Sequence, residues 1–194
     1  MNIRTFLFRN RSYTPIPLVI AILYFTSTIY PYIIYGLILI VIGETIRINA
    51  VRYAGGVTRT TNVGAPSLCT SGPYARTRNP LYFGNVIIYS GVVLFSGGPM
   101  MVPLLCVVLS FFTFQYYMII SLEEETLKDL FKEKYLQYCE NVPRLFPRII
   151  SWEGDSIIQP SSFASTIKTE KRTLQNIVMI IFLIILRSPS IGIF

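Results

Sequence analysis

The chain has 194 residues, a net charge of +7 at pH 7 and a mean hydropathy of +0.53, with 52% hydrophobic and only 14% charged residues. Soluble domains carry about 25% charged residues; here the deficit falls in long blocks, which marks a membrane protein and turns the positive charge away from nucleic acid. Histidine is absent, and Cys69, Cys106 and Cys139 have no CxxC spacing, so an imidazole base, a Cys-His nucleophile, a disulfide framework and a metal site are not expected.

Arg4, Arg9 and Arg11 precede the first apolar run. No small-residue cleavage pattern follows at the usual distance, so the run is expected to be a retained anchor. Residues 12–43 carry no charge. One straight helix of that length would be about 48 Å long, too long for a core of about 30 Å. The "TSTIYP" step at 26–31 offers the break, which predicts membrane helices at 15–29 and 31–53. Glu44 and Arg47 lie three apart in the second and are expected to pair as a structural ion pair.

Residues 54–73 are rich in Gly, Thr, Ser and Pro and predict a loop. Next comes "YARTRNPLYFG" at 74–84, at the foot of 44 residues without charge, 79–122. A third helix is predicted at 81–95 and a tight turn at "SGGP", 96–99. A fourth helix is predicted at 100–138, bent at or near Pro103. Its polar extension is amphipathic, with Leu127, Leu130, Phe131, Tyr135 and Tyr138 on one side. Glu125 belongs to the solvated face, whereas Glu123 and Glu124 flank the apolar sector that Tyr116 and Ile119 extend into the membrane. "NVPRLFPR" at 141–148 ends that helix. A final apolar run predicts a fifth helix at 173–187, spanning the membrane or lying in its interface.

With these breaks, 16 of the 17 Lys and Arg fall on one side, and only Arg187 is opposite. That side is expected to be cytoplasmic. It also holds "YARTRNPLYFG", the glutamate cluster and "VPRLFPR". The expected architecture is thus an all-α integral membrane protein, multi-pass, forming a single membrane domain over 1–194. About five helices build a cytoplasmic-face cofactor pocket from the start of the third helix, the extension of the fourth and the loop after it. The N-terminus lies on the same cytoplasmic side. Carboxylates against apolar walls and tyrosine faces suit a cationic ligand group. Arginines suit a carboxylate or phosphate, and a groove between apolar helices suits a lipid chain. Taken singly, Asn79 reads as a helix N-cap, Pro80 as a first-turn proline and Arg76 and Arg78 as interfacial anchors.

Taken in order, "SLCTSGPYARTRNPLYFG" followed by "EEETLKDLFKEKYLQYCENVPRLFPR" resembles the C-terminal core of the isoprenylcysteine carboxyl methyltransferase family. The likeness covers 65–148, with matches at Leu68, Gly72, Pro73, Tyr74, Arg78, Pro80, Tyr82, Gly84, Glu123, Glu124, Leu127, Phe131, Tyr135, Tyr138, Val142, Pro143, Arg144 and Pro147. Two positions depart from it: Asn79 stands where the family has His, and Lys132 where it has Gly.

The resemblance implies methyl transfer from S-adenosylmethionine, leaving S-adenosylhomocysteine, to the carboxylate of a prenylated cysteine or similar lipid-linked acceptor. It implies cofactor contacts from Leu68, Cys69, Tyr74, Asn79, Pro80, Leu81, Tyr82, Glu123 and Glu124. Asn85 is added as a polar group of the same pocket. Glu123 is expected to hold the cofactor's amino group or ribose. Arg144 is expected to orient the acceptor carboxylate, or alternatively the cofactor's own, with Glu124 and Asn79 as its catalytic companions. Tyr116 and Ile119 are expected to line the lipid groove. The alternative acceptor is an aminophospholipid. The expected partners are the bilayer, in the cell membrane of a prokaryote or the endoplasmic reticulum of a eukaryote, and a lipidic or prenylated small acceptor. Sterol-type reductases and a non-catalytic relative are the rival classes.

Overall fold

A computed structural model of the chain describes residues 2–55, 63–154 and 158–188. Among them are six helices and no sheet: α1 (Ile3–Asn10), α2 (Ile16–Tyr24), α3 (Tyr32–Ala54), α4 (Pro80–Ser96), α5 (Met101–Asn141) and α6 (Phe163–Arg187), with a 3-10 turn at Gly72–Ala75. Two of them, α3 and α5, are long and apolar enough to cross a membrane, while α4 is apolar but shorter. Large apolar side chains such as Ile20, Val41, Val102, Tyr117 and Val178 point outward from the bundle, as lipid-facing helices require. The protein is a membrane protein built of helices.

The N-terminal region differs from expectation. A helix is expected at 15–29, but α2 has nine residues, about 14 Å of rise. The chain then leaves the helix and docks at the α4–α5 turn, where the Ser27 N–H donates to the Ser96 carbonyl at 3.0 Å. Hydropathy sees 25–29 as apolar but not as extended. Nor does it see α1, which Asn2 caps by accepting from the Arg4 N–H at 3.1 Å. Phe8 of α1 is buried in the main core. At the other end, α6 starts ten residues before the apolar run, capped by Ser162.

The α3–α4 pair frames the site. Gly36 lies against Gly91, and Gly43 against Gly84. A Cβ on Gly36 would come within 2.6 Å of the Gly91 carbonyl, and one on Gly43 within 2.8 Å of the Gly84 carbonyl. Both pairs recur at a spacing of seven, so one face of each helix is glycine and the backbones touch, as small-residue faces allow in membranes. Gly84 also lets the Arg47 side chain pass: a Cβ there would be 2.8 Å from its Cγ. In the "SGGP" turn, Gly97 and Gly98 have φ of 61° and 82°, open to glycine at little cost.

The long helix α5 breaks at Lys132, not at Pro103. Pro103 falls in the first turn, where an N–H has no helical partner to lose. Lys132 has φ 45° and ψ −121°, a conformation that favours glycine, and it is the position where the family pattern carries Gly. After the break, Tyr135 and Tyr138 form a second small core with Val142, Leu68 and Trp152. Lys132→Gly should relieve about 1–3 kcal/mol of backbone strain against about 1 kcal/mol of glycine entropy. A net gain near ~1 kcal/mol is expected as a higher thermal midpoint in detergent. An unchanged or lower midpoint counts against strain at this residue.

Candidate active site

The chain returns from α5 alongside the approach to α4. The Arg78 N–H donates to the Pro143 carbonyl (2.9 Å), the Arg148 N–H to Arg76 (3.0 Å) and the Trp152 N–H to Ala75 (2.9 Å). Pro80 starts α4 at its first position, but Asn79 does not cap it. Its Nδ2 donates instead to the Arg144 carbonyl at 2.9 Å. A neutral amide therefore ties the α4 start to the loop carrying Arg144, and this tie needs no imidazole.

Adjacent glutamates on α5 point to different places. The Tyr82 hydroxyl donates to Glu123 Oε1 at 3.0 Å, and Glu123 makes no ion pair among the described residues. The Tyr82 ring packs on Tyr116 (4.6 Å between centroids), Tyr116 on Phe112 (5.1 Å) and Phe112 on Tyr89 (4.4 Å). An aromatic column thus runs from Glu123 into the bundle. Burial pushes the Tyr74 hydroxyl well above its ordinary range, so it stays protonated. Burial also raises the Cys69 and Cys139 thiols, which leaves neither as a ready thiolate.

Glu124 instead joins two arginines, Arg78 Nη2 at 2.9 Å and Arg144 Nη2 at 3.1 Å. Arg144 also donates to Ser121 Oγ at 2.8 Å and lies over the Tyr117 ring. The Nε atoms of Arg78 and Arg144 are buried without a hydrogen-bond partner among the described residues. These residues, with Glu125 and Lys128, line a polar cleft of about 390 Å³. Glu125 is held at 2.5 Å by Arg4 of α1.

The expected residues therefore fall into separate groups. Tyr82 and Glu123 meet beside the main core, while Tyr74, whose carbonyl accepts from the Tyr138 hydroxyl at 2.7 Å, and the part-buried Cys69 lie in the approach to α4. Arg144 and Glu124 face the cleft, and Asn79 and Pro80 join the two sides. Leu68 packs on the second small core, and Leu81 is part-buried in the first turn of α4. Asn85 is engaged by Arg47 Nη1. Tyr116 and Ile119, expected along a lipid groove, are packed within the main core; Ile119 is fully buried.

Sequence reasoning missed the reach of Arg47. Beyond Glu44 at 3.5 Å, it binds Glu170 of α6 at 2.7 Å. Glu170 lies outside the apolar run, so hydropathy hides it, though Thr166, Glu170 and Thr173 fall on one helical face. Arg11, in the sequence one of three charges before the first apolar run, acts electrostatically on Glu123 and Tyr82.

Comparison with known proteins bears on this arrangement. A sequence model of the family described as phospholipid methyltransferase (PEMT) matches residues 31–134, more than half of the chain and the whole of α3, α4 and the spanning part of α5. The chain belongs to the phospholipid methyltransferase family. It is thus of a membrane methyltransferase family concerned with lipids, in keeping with the resemblance of 65–148 to membrane carboxyl methyltransferases. The family match contains Tyr82, Asn85, Glu123 and Glu124; α1, α2, α6 and Arg144 lie beyond it. The cobalt-zinc-cadmium resistance protein CzcN of Cupriavidus metallidurans is 30% identical over 103 residues, 52% of this chain and 46% of that protein, so the match spans about half of the relative's length. No solved structure matches the chain. Among the described residues no cluster of metal-ligating side chains forms.

Proposed function

We propose that this protein is a multi-pass membrane methyltransferase that moves a methyl group from S-adenosylmethionine to the carboxylate of a prenylated cysteine or similar lipid-linked acceptor. The observation that carries the reading is the split of the two glutamates: a carboxylate among tyrosines on one side of α5, and an arginine-lined cleft on the other. The first side fits the cofactor's chemistry. Glu123, held by Tyr82, offers a buried carboxyl group beside aromatic faces, whose ionised form suits an ammonium or sulfonium. The second fits an anionic acceptor, because Arg144 presents a guanidinium over an exposed ring.

S-adenosylmethionine, when bound, supplies an electrophilic methyl group. The chain's own residues position and desolvate. Glu123 and Tyr82 bind and orient the cationic partner. Arg144 orients the acceptor anion, with Glu124 fixing the guanidinium and Asn79 fixing its backbone. Packed aromatic walls keep water out. A carboxylate acceptor is already ionised at neutral pH, with a pKa near ~3.5, so no base is required. Glu124 is committed to two guanidinium groups and is not a free base, which supports a carboxylate over an ammonium acceptor. The family match supports the second reading, an aminophospholipid. The preponderance of Lys and Arg on one side supports a cytoplasmic site.

Glu123→Gln should weaken S-adenosylhomocysteine binding about tenfold or more, the worth of one charge-assisted contact, in calorimetry on detergent-solubilised protein. Normal binding by this variant would remove Glu123 from the cofactor site. Radiolabelled transfer in vesicles, with farnesylcysteine against phosphatidylethanolamine as acceptor, decides between the two acceptor classes.

A further inference from the structure

The loop 143–150 does more than return the chain. Its backbone is fixed by Arg78, Arg148 and Thr77, whose hydroxyl donates to the Leu145 carbonyl at 2.9 Å. This return carries Arg144 down to Ser121, in the last turn of the apolar part of α5. It sets Phe146 beside Phe83 of the first turn of α4, 6.3 Å between ring centroids. Ser121 and Phe83 both belong to the stretch without charge at 79–122. The loop therefore reaches the level where hydrocarbon begins.

At that level it turns its large apolar side chains outward. Phe146 is 76% exposed, Ile149 93% and Ile150 74%. A loop pinned this closely cannot fold over them, and beyond the edge contact of Phe146 with Phe83 they make an exposed apolar crest among the described residues. The only charges within 143–150 are Arg144 and Arg148. Arg144 links the crest to the exposed Tyr117 on the spanning part of α5.

We infer that 143–150 is a wedge inserted sideways into one leaflet of the bilayer. Phe146, Ile149 and Ile150 enter the acyl region, and Arg144 and Arg148 lie at the depth of the lipid phosphates. The partner is lipid rather than protein, because the crest continues onto a lipid-facing helix and its charges are complementary to anionic headgroups. One consequence rests on the proposed methyl transfer: the polar cleft beside Arg144 opens laterally, so the acceptor reaches it by diffusion within the leaflet with its reactive group at headgroup depth.

The chain has a single tryptophan, which permits a clean probe. Ile149→Trp in a Trp152→Phe background is reconstituted in phosphatidylcholine and phosphatidylglycerol vesicles, with or without bromine on the upper acyl chain. Insertion predicts loss of most of the emission to brominated lipid, a blue-shifted maximum and little quenching by aqueous acrylamide. Emission quenched by acrylamide and untouched by brominated lipid overturns the wedge. Protection from both quenchers also overturns it, since it places a protein surface over the crest. S-adenosylhomocysteine calorimetry on the same protein keeps the two readings apart. Lipid quenching without cofactor binding sustains the wedge and sinks the proposed function; cofactor binding without lipid quenching does the reverse.

Discussion

Replacing Arg47 by methionine should lower the thermal midpoint by about 10 °C, the largest stability effect expected of one substitution in this chain. Arg47 is almost wholly buried and joins three helices: Glu44 on its own α3, Asn85 on α4, and Glu170 and Thr173 on α6. Glu170 is 1% exposed. Taking away the guanidinium strips its ion pair from a carboxylate that water cannot reach, which costs about 3–5 kcal/mol. At about 2–4 °C per kcal/mol for a chain of this size, the shift is large enough to follow by differential scanning fluorimetry in detergent. The double substitution Arg47→Met, Glu170→Met should recover part of the loss, because a buried pair replaced whole is far cheaper than a pair broken. An unchanged midpoint in the single variant would mean that α6 is held by its apolar face alone.

That clasp also shows where the sequence stops being readable. The pairing of Glu44 with Arg47 follows from their spacing of three. The partner on α6 does not, because it depends on where a distant helix docks, and Glu170 lies outside every apolar run. The same limit hid α1, whose eight residues are too few and too charged for hydropathy. The spanning cores of α3 and α5 were legible because a long stretch without charge has few stable alternatives. The break in α5 was not legible: a bend was expected at Pro103, periodicity runs straight through Lys132, and the departure from the family's glycine there carried no sign of the non-helical backbone. Glu123 and Glu124 both flank the apolar sector on a helical wheel. Which of them meets Tyr82 and which meets the arginines is decided by α4 and by the loop after α5, so no pattern within α5 could separate them. Tyr116 and Ile119 sit on the side of α5 that points toward the site, but Tyr116 packs on Tyr82 of α4 and Ile119 is fully buried in the main core, where a groove was expected.

The separation of the two glutamates makes the second large prediction. Glu124→Ala should reduce methyl transfer about a hundredfold, the usual penalty when a reacting group is displaced by about 1 Å, while S-adenosylhomocysteine still binds within about threefold of the native affinity. With the carboxylate gone, the guanidinium groups of Arg78 and Arg144 face each other with nothing between them. Both have buried Nε atoms, and the other carboxylate of the cleft, Glu125, is held by Arg4. Arg144 then moves toward solvent and the acceptor loses its anchor. Stability should fall by about 3 kcal/mol. A double-mutant cycle with Arg144→Ala tests the linkage: residues that share one interaction give a coupling of about 0.5–3 kcal/mol, in stability and in transfer alike. Additive losses would mean that Glu124 acts through Arg78 or alone. Loss of cofactor binding as severe as that expected for Glu123→Gln would put both glutamates in one pocket, and the two-sided site would have to be abandoned. The sparing of cofactor binding is the sharper half of the prediction, because a variant that merely failed to fold could not show it.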